Sequence, residues 1–270
     1  MAAANVKLTI AYDGTAYDGW QRQRDRPTIQ ESLEVALGRM LGHRVVVHGA
    51  GRTDAGVHAL GMVANFQPER SLPLEAYRRG LNSMLPPDIR ILAAEEVEPG
   101  FHARFSARGK AYLYFFTTAA VMPPCRRLYC AHFPGAFDLE ATRAALPQLI
   151  GEHDFSSFEA AGSRTRAGDE KAERGRGAVR CLTRLTLERD ETGWGFAVGQ
   201  SQAGGASYRL LVAGDGFLRH MVRNIAGTLI EVGRGRRRPE SLGELLALGD
   251  RAQAGPTAPA CGLTLWQVYY

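Results

Sequence analysis

Hydrophobic and polar residues alternate in the first part of the chain, beginning with a strand pattern at Val6–Tyr12. Apolar residues then recur at helical spacing, and a Thr-x-x-Glu capping box predicts a helix from Thr28 to about Leu41. Further along, the pattern predicts strands at Val45–His48, Met62–Phe66 and Ile89–Val97 and a helix at Leu74–Leu85. The resulting order, β-α-β-β-α-β, is typical of an antiparallel sheet with its helices on one face.

The second half again mixes strands with helices, but has longer insertions. Its pattern predicts strands at Lys110–Thr117, Leu182–Glu188, Tyr208–Ala213 and Leu265–Tyr269, and helices at Asp138–Ile150, Phe217–Val232 and Ser241–Leu248. Two polar, Gly-rich segments, 162–177 and 199–207, are predicted to be loops, the first of them mobile. We therefore predict an α+β protein of two domains, 1–105 and 106–270, facing each other across a basic cleft.

Composition restricts the class of protein further. The chain has 270 residues, of which 45% are hydrophobic and 23% charged, as in a folded globular protein. It has no apolar run of the roughly 18–20 residues that a membrane-spanning helix needs, and its N-terminus lacks the basic start and apolar run of a secretory signal. We therefore expect a protein that does not bind a membrane. Four cysteines in a chain of this length favour reduced thiols, so we expect a cytoplasmic location.

The charge balance favours a nucleic-acid partner. The net charge is +5, and most of the cations are Arg, which makes planar, bidentate contacts with phosphate. A dense run after the predicted helix at Phe217–Val232 is a candidate phosphate contact, because no acidic residue interrupts it: Arg234, Arg236, Arg237 and Arg238. The basic residues between 164 and 180 are partly balanced by acids, so we interpret that stretch as a solvated loop.

Candidate chemistry is concentrated in GAGRTDAGVHA, which runs from Gly49 to Ala59. Its three glycines allow sharp backbone turns, and they flank Arg52 and Asp54 where the chain leaves a predicted strand. The segment lacks the spacing of a phosphate-binding P-loop. From its spacing alone, a functional loop and a plain turn with a solvated arginine remain equally good interpretations.

This segment closely resembles the catalytic motif of the TruA family of tRNA pseudouridine synthases. Four further blocks resemble the same family in the same order: YDGT with GWQRQ (12–15 and 19–23), FHARFSA with YLY (101–107 and 112–114), HMVRNI (220–225) and GLTL (262–265). The resemblance covers nearly the whole chain. It implies the pseudouridine synthase fold and isomerisation of uridine to pseudouridine at positions 38, 39 and 40 of the tRNA anticodon stem-loop, without a cofactor or a metal.

The resemblance also assigns the site residues. Asp54 matches the catalytic aspartate, which can attack the sugar, attack the base or remove the 2′ proton; the sequence leaves these routes open. Arg223 matches the cation that keeps this carboxylate charged, and Arg52 the arginine that helps to extrude the target nucleotide. Tyr112 matches the tyrosine that stacks on the base, and Leu263 the apolar residue on the other side of the pocket.

Each of the four supporting residues also has an ordinary structural interpretation. Without the resemblance, Arg223 would be a solvated helix charge and Arg52 a surface phosphate contact, while Tyr112 and Leu263 would be core residues. The resemblance further implies a homodimer in which one tRNA contacts both subunits. Two alternatives remain open: a synthase that acts on other RNA positions, and a non-catalytic RNA-binding protein.

A zinc site is a weaker hypothesis. Cys125, Cys130 and His132 lie close together in sequence, but no second pair of ligands follows at a suitable spacing, and we expect no metal here.

Overall fold

A computed structural model describes residues 5–160, 177–191 and 205–270. The chain forms two compact units, of which the first contains the described residues up to Lys110 together with Thr264–Tyr270. The second contains the described residues of Ala111–Leu263. The predicted boundary near residue 105 lies just before this division, but the last strand, which we had placed in the second domain, belongs to the first unit.

The first unit is built on an antiparallel sheet to which the end of the chain adds a strand. Its elements are β1 (Asn5–Tyr12), α1 (Ile29–Leu41), β2 (His48–Gly49), β3 (His58–Phe66), α2 (Leu74–Met84), β4 (Ile89–Val97) and β10 (Leu263–Tyr269). Strand β1 lies between β3 and β4 and pairs antiparallel with both. The alternation along β1 buries Val6, Leu8 and Ile10 almost completely, which fixes the register.

Both helices of the first unit begin and end where the sequence predicts. The Thr28 hydroxyl accepts a hydrogen bond from the Glu31 N–H at the start of α1, and Gly42 ends the helix in the left-handed conformation. Helix α2 ends at Met84, just before two prolines that cannot continue it. Leu33 and Leu37 of α1 and Tyr77 and Leu81 of α2 are fully buried, as an amphipathic helix requires.

The second unit also combines a sheet with helices. Its elements are β5 (Gly109–Thr117, whose first two residues belong to the first unit), β6 (Ala131–His132), α3 (Leu139–Ala145), β7 (Gly151–Asp154), β8 (Val179–Arg189), β9 (Ser207–Gly214), α4 (Met221–Gly233) and α5 (Ser241–Leu248). Strand β8 pairs antiparallel with β7 and β9, and β9 lies next to β5. Short β6 pairs parallel with β5. The α+β class and the mostly antiparallel pairing are therefore confirmed.

Some predicted elements are wrong in extent. Val45–His48 was predicted as a strand, but only His48–Gly49 pairs with β3, because the residues before it form an irregular connection. Helix α4 begins at Met221 rather than Phe217, since His220 adopts a left-handed backbone conformation (φ 62°) that a helix cannot contain. Strands β6 and β7 were not predicted. The predicted loops at 162–177 and 199–207 lie largely outside the described residues.

Within the described ranges, none of the helices combines the length and the apolar character needed to cross a bilayer.

Candidate active site

The Gly-rich segment forms the connection from β2 to β3 in the first unit. The Asp54 carbonyl accepts a hydrogen bond from the Val57 N–H (3.2 Å), which closes a tight turn. Gly56 has a φ of 73° within this turn, a conformation that favours glycine. Asp54 is half-buried at the turn, between exposed Arg52 and the buried start of β3. The turn thus presents a carboxylate at the surface of a fixed backbone.

The N-terminal block, 12–23, holds this loop in place. The hydroxyls of Tyr12 and Thr53 share a buried hydrogen bond of 2.8 Å, and the Trp20 N–H donates to the Thr53 carbonyl (3.2 Å). The Gly56 N–H donates to the Tyr17 carbonyl (3.2 Å). Both sides of Asp54 are therefore tied to the segment that follows β1, which explains why the two sequence blocks occur together.

Two glycines make this close contact possible. Gly19 has a φ of 87°, and a Cβ there would collide with the Thr53 carbonyl oxygen. A Cβ at Gly49 would collide with the indole ring of Trp20, which is itself buried. The backbone of the loop can approach the N-terminal block only because neither residue has a side chain.

Arg52 extends from the loop and is exposed. Its Nε donates to the Gln21 side-chain oxygen (3.1 Å), so the N-terminal block also orients this guanidinium.

In the second unit, Arg223 lies in the first turn of α4. Its Nε donates to the Ala258 carbonyl (2.8 Å), and the Ala258 N–H donates to the Arg223 carbonyl (3.1 Å). The next residue, Asn224, is fully buried and accepts from the Arg251 guanidinium (3.1 Å) and the Thr257 hydroxyl (2.6 Å). The segment 251–258 is thereby fastened along α4, and it fixes the direction of the Arg223 side chain.

The two predicted base-contacting residues also belong to the second unit. Tyr112 is buried on β5, and its ring packs edge-on against Phe217 with centroids 5.0 Å apart. Leu263 is buried at the start of β10. It follows Gly262, where a Cβ would lie 2.6 Å from the Phe115 carbonyl oxygen, so the backbone before Leu263 lies directly against β5. Neither residue extends into solvent.

The sequence indicated that the arginine run after α4 has no acidic partners, but the structure shows two ion pairs. Arg236 forms an ion pair with Glu231 (3.2 Å), and Arg238 forms one with Glu244 (3.2 Å). Arg234 donates to the Pro134 carbonyl (3.1 Å). The prediction failed because it considered only the run itself, whereas Glu231 precedes the run on α4 and Glu244 follows it on α5.

The four cysteines are free thiols. Burial raises the pKa of the Cys130 thiol to about 11, which keeps it protonated and disfavours metal binding. Among the residues that the structure describes, no group of three His, Cys, Asp or Glu side chains is arranged to hold a metal ion.

Comparison with known proteins decides the family. The model of a family described as tRNA pseudouridine synthase matches residues 8–106 and 145–270. A protein named tRNA pseudouridine synthase A 1 from Desulfotalea psychrophila is 47% identical over 98% of this chain and 99% of its own length. The tRNA pseudouridine synthases A of Myxococcus xanthus and Citrifermentans bemidjiense are 45% and 44% identical, each over 98% of this chain and over 91% and 97% of their own lengths.

The chain belongs to the tRNA pseudouridine synthase family. It is therefore an isomerase that acts on tRNA. Arg52, Asp54, Arg223 and Leu263 all lie within the ranges that match the family model, whereas Tyr112 lies between them.

The sequence analysis missed several residues that fix the Gly-rich segment and helix α4. Tyr12, Gly19 and Trp20 were seen only as a motif, although glycines in an otherwise bulky block could have suggested a close backbone approach. Arg251 and Thr257 carried no signal, because their contacts to Asn224 join residues that are distant in sequence.

Lys110 is a further missed residue of the synthase. A Cβ on Gly51 of the Gly-rich segment would lie 2.7 Å from the Lys110 Nζ, so this amino group packs directly against the backbone of the segment. Burial, and secondly the charge of Arg104, lowers the pKa of Lys110 from 10.5 to about 8. Lys110 therefore places an amino group that is costly to keep charged next to the backbone of Gly51.

Replacing Gly19 with alanine should disrupt the Gly-rich segment that carries Asp54. The added Cβ collides with the Thr53 carbonyl oxygen and disfavours the positive φ, so we expect a loss of stability of about 2–4 kcal/mol and a large loss of activity. Gly42→Ala is the matched control, because Gly42 has a similar φ (78°) and open space around its Cα. It should cost only about 1 kcal/mol and leave turnover unchanged. Urea unfolding and pseudouridine formation measure the two effects, and equal effects of both substitutions would contradict this role of Gly19.

Replacing Lys110 with methionine should stabilise the synthase at neutral pH. The folded protein loses the Lys110 proton near pH 8, whereas the unfolded chain keeps it to about pH 10.5, so the wild type gains stability as the pH rises through this window. We expect Lys110→Met to be more stable by about 1–3 kcal/mol at pH 7, with a difference that shrinks towards pH 9.5. Urea unfolding at both pH values tests this, and a difference independent of pH would contradict it.

Proposed function

We propose that this synthase isomerises uridine to pseudouridine at positions 38, 39 and 40 of the tRNA anticodon stem-loop. The N1–C1′ glycosidic bond breaks, the uracil turns, and a C5–C1′ bond forms. C5 loses its proton and N1 ends with one, so the product is an isomer and the reaction needs no external oxidant or reductant. The sequence resemblance to the family supports this choice of positions.

Asp54 supplies the catalytic carboxylate. The observation that carries this proposal is the mounting of its turn: Thr53 is bonded to Tyr12 and Trp20, Gly56 is bonded to Tyr17, and Asp54 stays half-exposed between them. A structural acid would not need so many constraints, whereas a nucleophile or base gains rate when its position is fixed in advance. Attack on the sugar, attack on the base and removal of the 2′ proton all use a carboxylate fixed in this way.

Four other residues complete the proposed site. Arg223 supplies the positive charge of the reacting centre, and the segment 251–258 fixes the direction of its side chain. Arg52 contacts a phosphate of the substrate and helps to turn the uridine out of the stack, which costs a few kcal/mol. Tyr112 and Leu263 receive the extruded base on either side.

The proposal includes the assembly and location of the enzyme. Its basic charge suits a tRNA, and the family resemblance favours a homodimer in which one tRNA contacts both subunits. We place the enzyme in the cytoplasm, where its four cysteines would remain reduced thiols.

Asp54→Asn should abolish pseudouridine formation without releasing tRNA. The amide has nearly the shape of the carboxylate but is neither a nucleophile nor a base, so turnover should fall at least about 100-fold while the dissociation constant for tRNA changes little. Release of tritium from tRNA labelled at C5 of uridine measures the reaction. Asp25→Asn, at an exposed position in the same unit, is the control and should keep wild-type turnover.

The target positions need a separate test. Pseudouridine mapping in tRNA from a strain that lacks this gene should show its loss at 38, 39 and 40. Loss at other positions would refute the proposed substrate site but not the role of Asp54, whereas wild-type turnover of Asp54→Asn would refute that role.

Arg223→Met should reduce catalysis much more than folding. Removing one fixed cation from a reacting centre typically costs about 100- to 1,000-fold in kcat, while the lost hydrogen bond to Ala258 costs only about 1 kcal/mol of stability. The readouts are single-turnover kinetics and a thermal melt. Arg209→Met, which breaks an exposed ion pair with Glu188, should leave kcat unchanged. A melt lowered by many degrees, with kcat preserved in the folded fraction, would show that Arg223 is structural.

A further inference from the structure

A group of stacked rings lies on the first unit, outside the catalytic loop. The His48 and His102 rings are 4.9 Å apart, and the His102 and Phe105 rings are 4.3 Å apart, both with modest tilts. The Arg104 guanidinium lies over the Phe105 ring, 5.6 Å from its centre. Phe105 is 55% exposed, so part of a large aromatic side chain is in contact with solvent although His102 and Arg104 pack against it. We call His48, His102, Arg104 and Phe105 the stacked surface.

The stacked surface is mounted rigidly on the sheet. The Ala103 N–H donates to the Asn65 side-chain oxygen (2.9 Å), and the Tyr270 hydroxyl donates to the Ala103 carbonyl (2.7 Å). Asn65 also donates to the Asn5 side chain (3.0 Å), and both asparagines are nearly fully buried. Buried amides are costly unless they are hydrogen-bonded. These contacts therefore fix the backbone of Ala103, which lies between the rings of His102 and Phe105 in the sequence.

The His102 ring is itself fixed. Its Nδ1 accepts a hydrogen bond from the backbone N–H of Arg104 (3.1 Å). The backbone N–H of His102 donates to the Ser106 hydroxyl (3.1 Å). Burial, followed by the nearby charges of His48 and Arg104, lowers the pKa of His102, so the ring is neutral at pH 7. A neutral, oriented imidazole stacks as an aromatic ring.

Arginine and lysine residues are frequent in the segment that carries the stacked surface. The stretch from Phe101 to Tyr112 contains Arg104, Arg108 and Lys110 but no acidic residue. Within the described part of the chain, none of these three cations forms an ion pair. Elsewhere in the same unit, cations are commonly paired, as Lys7 is with Glu95 and Arg78 with Glu75. Unpaired cations beside an exposed ring are complementary to RNA, which offers bases and phosphates together.

The stacked surface is also continuous with the catalytic loop. His48 is in β2, which leads into that loop, and the Lys110 ammonium contacts its Gly51. We propose that the stacked surface binds an unpaired nucleotide of the tRNA substrate, with its base against the exposed part of the Phe105 side chain and its phosphate on Arg104 and Lys110. The cost of keeping Lys110 charged against the loop is then explained by a phosphate that neutralises it.

This inference deepens the proposed function. It rests on tRNA being the substrate, but it depends neither on positions 38, 39 and 40 nor on the role of Asp54. It assigns part of the tRNA affinity to base stacking outside the reacting centre.

Filter binding of an unmodified tRNA transcript at several salt concentrations tests the proposal, with variants made in both the wild-type and the Asp54→Asn chains. Phe105→Leu should weaken binding roughly 5- to 100-fold without changing the salt dependence, and Phe105→Tyr should restore it. Arg104→Gln and Lys110→Met should each lower the slope of log affinity against log salt by about one phosphate contact. Thermal melts check that each variant is folded.

Two matched controls separate this surface from general effects. Trp266→Leu removes another exposed aromatic ring of the same unit, and Arg24→Gln removes an exposed cation that pairs with Asp25. Neither should change affinity or salt slope. Wild-type binding by both Phe105→Leu and Arg104→Gln, or equal losses in the controls, would overturn the proposal. If Phe105→Leu is unfolded, Arg104→Gln alone decides, since Arg104 is exposed.

Discussion

A buried hydrogen bond between the hydroxyls of Tyr12 and Thr53 is the constraint on which the reactive loop depends. Thr53 precedes the carboxylate-bearing residue, and its carbonyl is bound by the Trp20 N–H as well. A loop rich in glycine would otherwise sample many conformations. The entropy lost by ordering it in each reaction cycle would then slow any reaction that needs a fixed carboxylate. The contacts with residues 12–20 remove that freedom during folding.

The same logic extends to the second unit. Arg223 extends from a helix whose neighbouring Asn224 is satisfied by Phe158, Arg251 and Thr257. Because both the nitrogen and the oxygen of that buried amide are hydrogen-bonded, a small rotation of the helix would leave a polar group unpaired. Both groups assigned to catalysis are therefore held by buried polar contacts from segments that are distant in sequence.

The sequence predicted those parts of the fold that arise from local periodicity. Helix α1 begins after Thr28 and ends at Gly42, and β4 covers Ile89–Val97, because caps and alternation are local signals. Other pairings were less visible. The last strand belongs with the first unit, far away in sequence. Glu231 and Glu244, five and six residues from Arg236 and Arg238, neutralise arginines that look unpaired when the run is considered alone. The candidate site residues came from the motif resemblance, whereas the side chains that hold them emerged only from the three-dimensional contacts.

The final strand has a consequence for how the protein is made. Strand β10 pairs parallel with β3, and the Tyr269 carbonyl and Tyr270 hydroxyl bond to residues 108 and 103 of the first unit. The ribosome therefore makes a whole second unit before it supplies the strand that covers the open edge of β3. A nascent chain that stalls before residue 264 contains all of the Gly-rich segment, but its strand β3 lacks the partner β10. Unfinished polypeptides with this exposed strand edge therefore remain targets for chaperones and proteases.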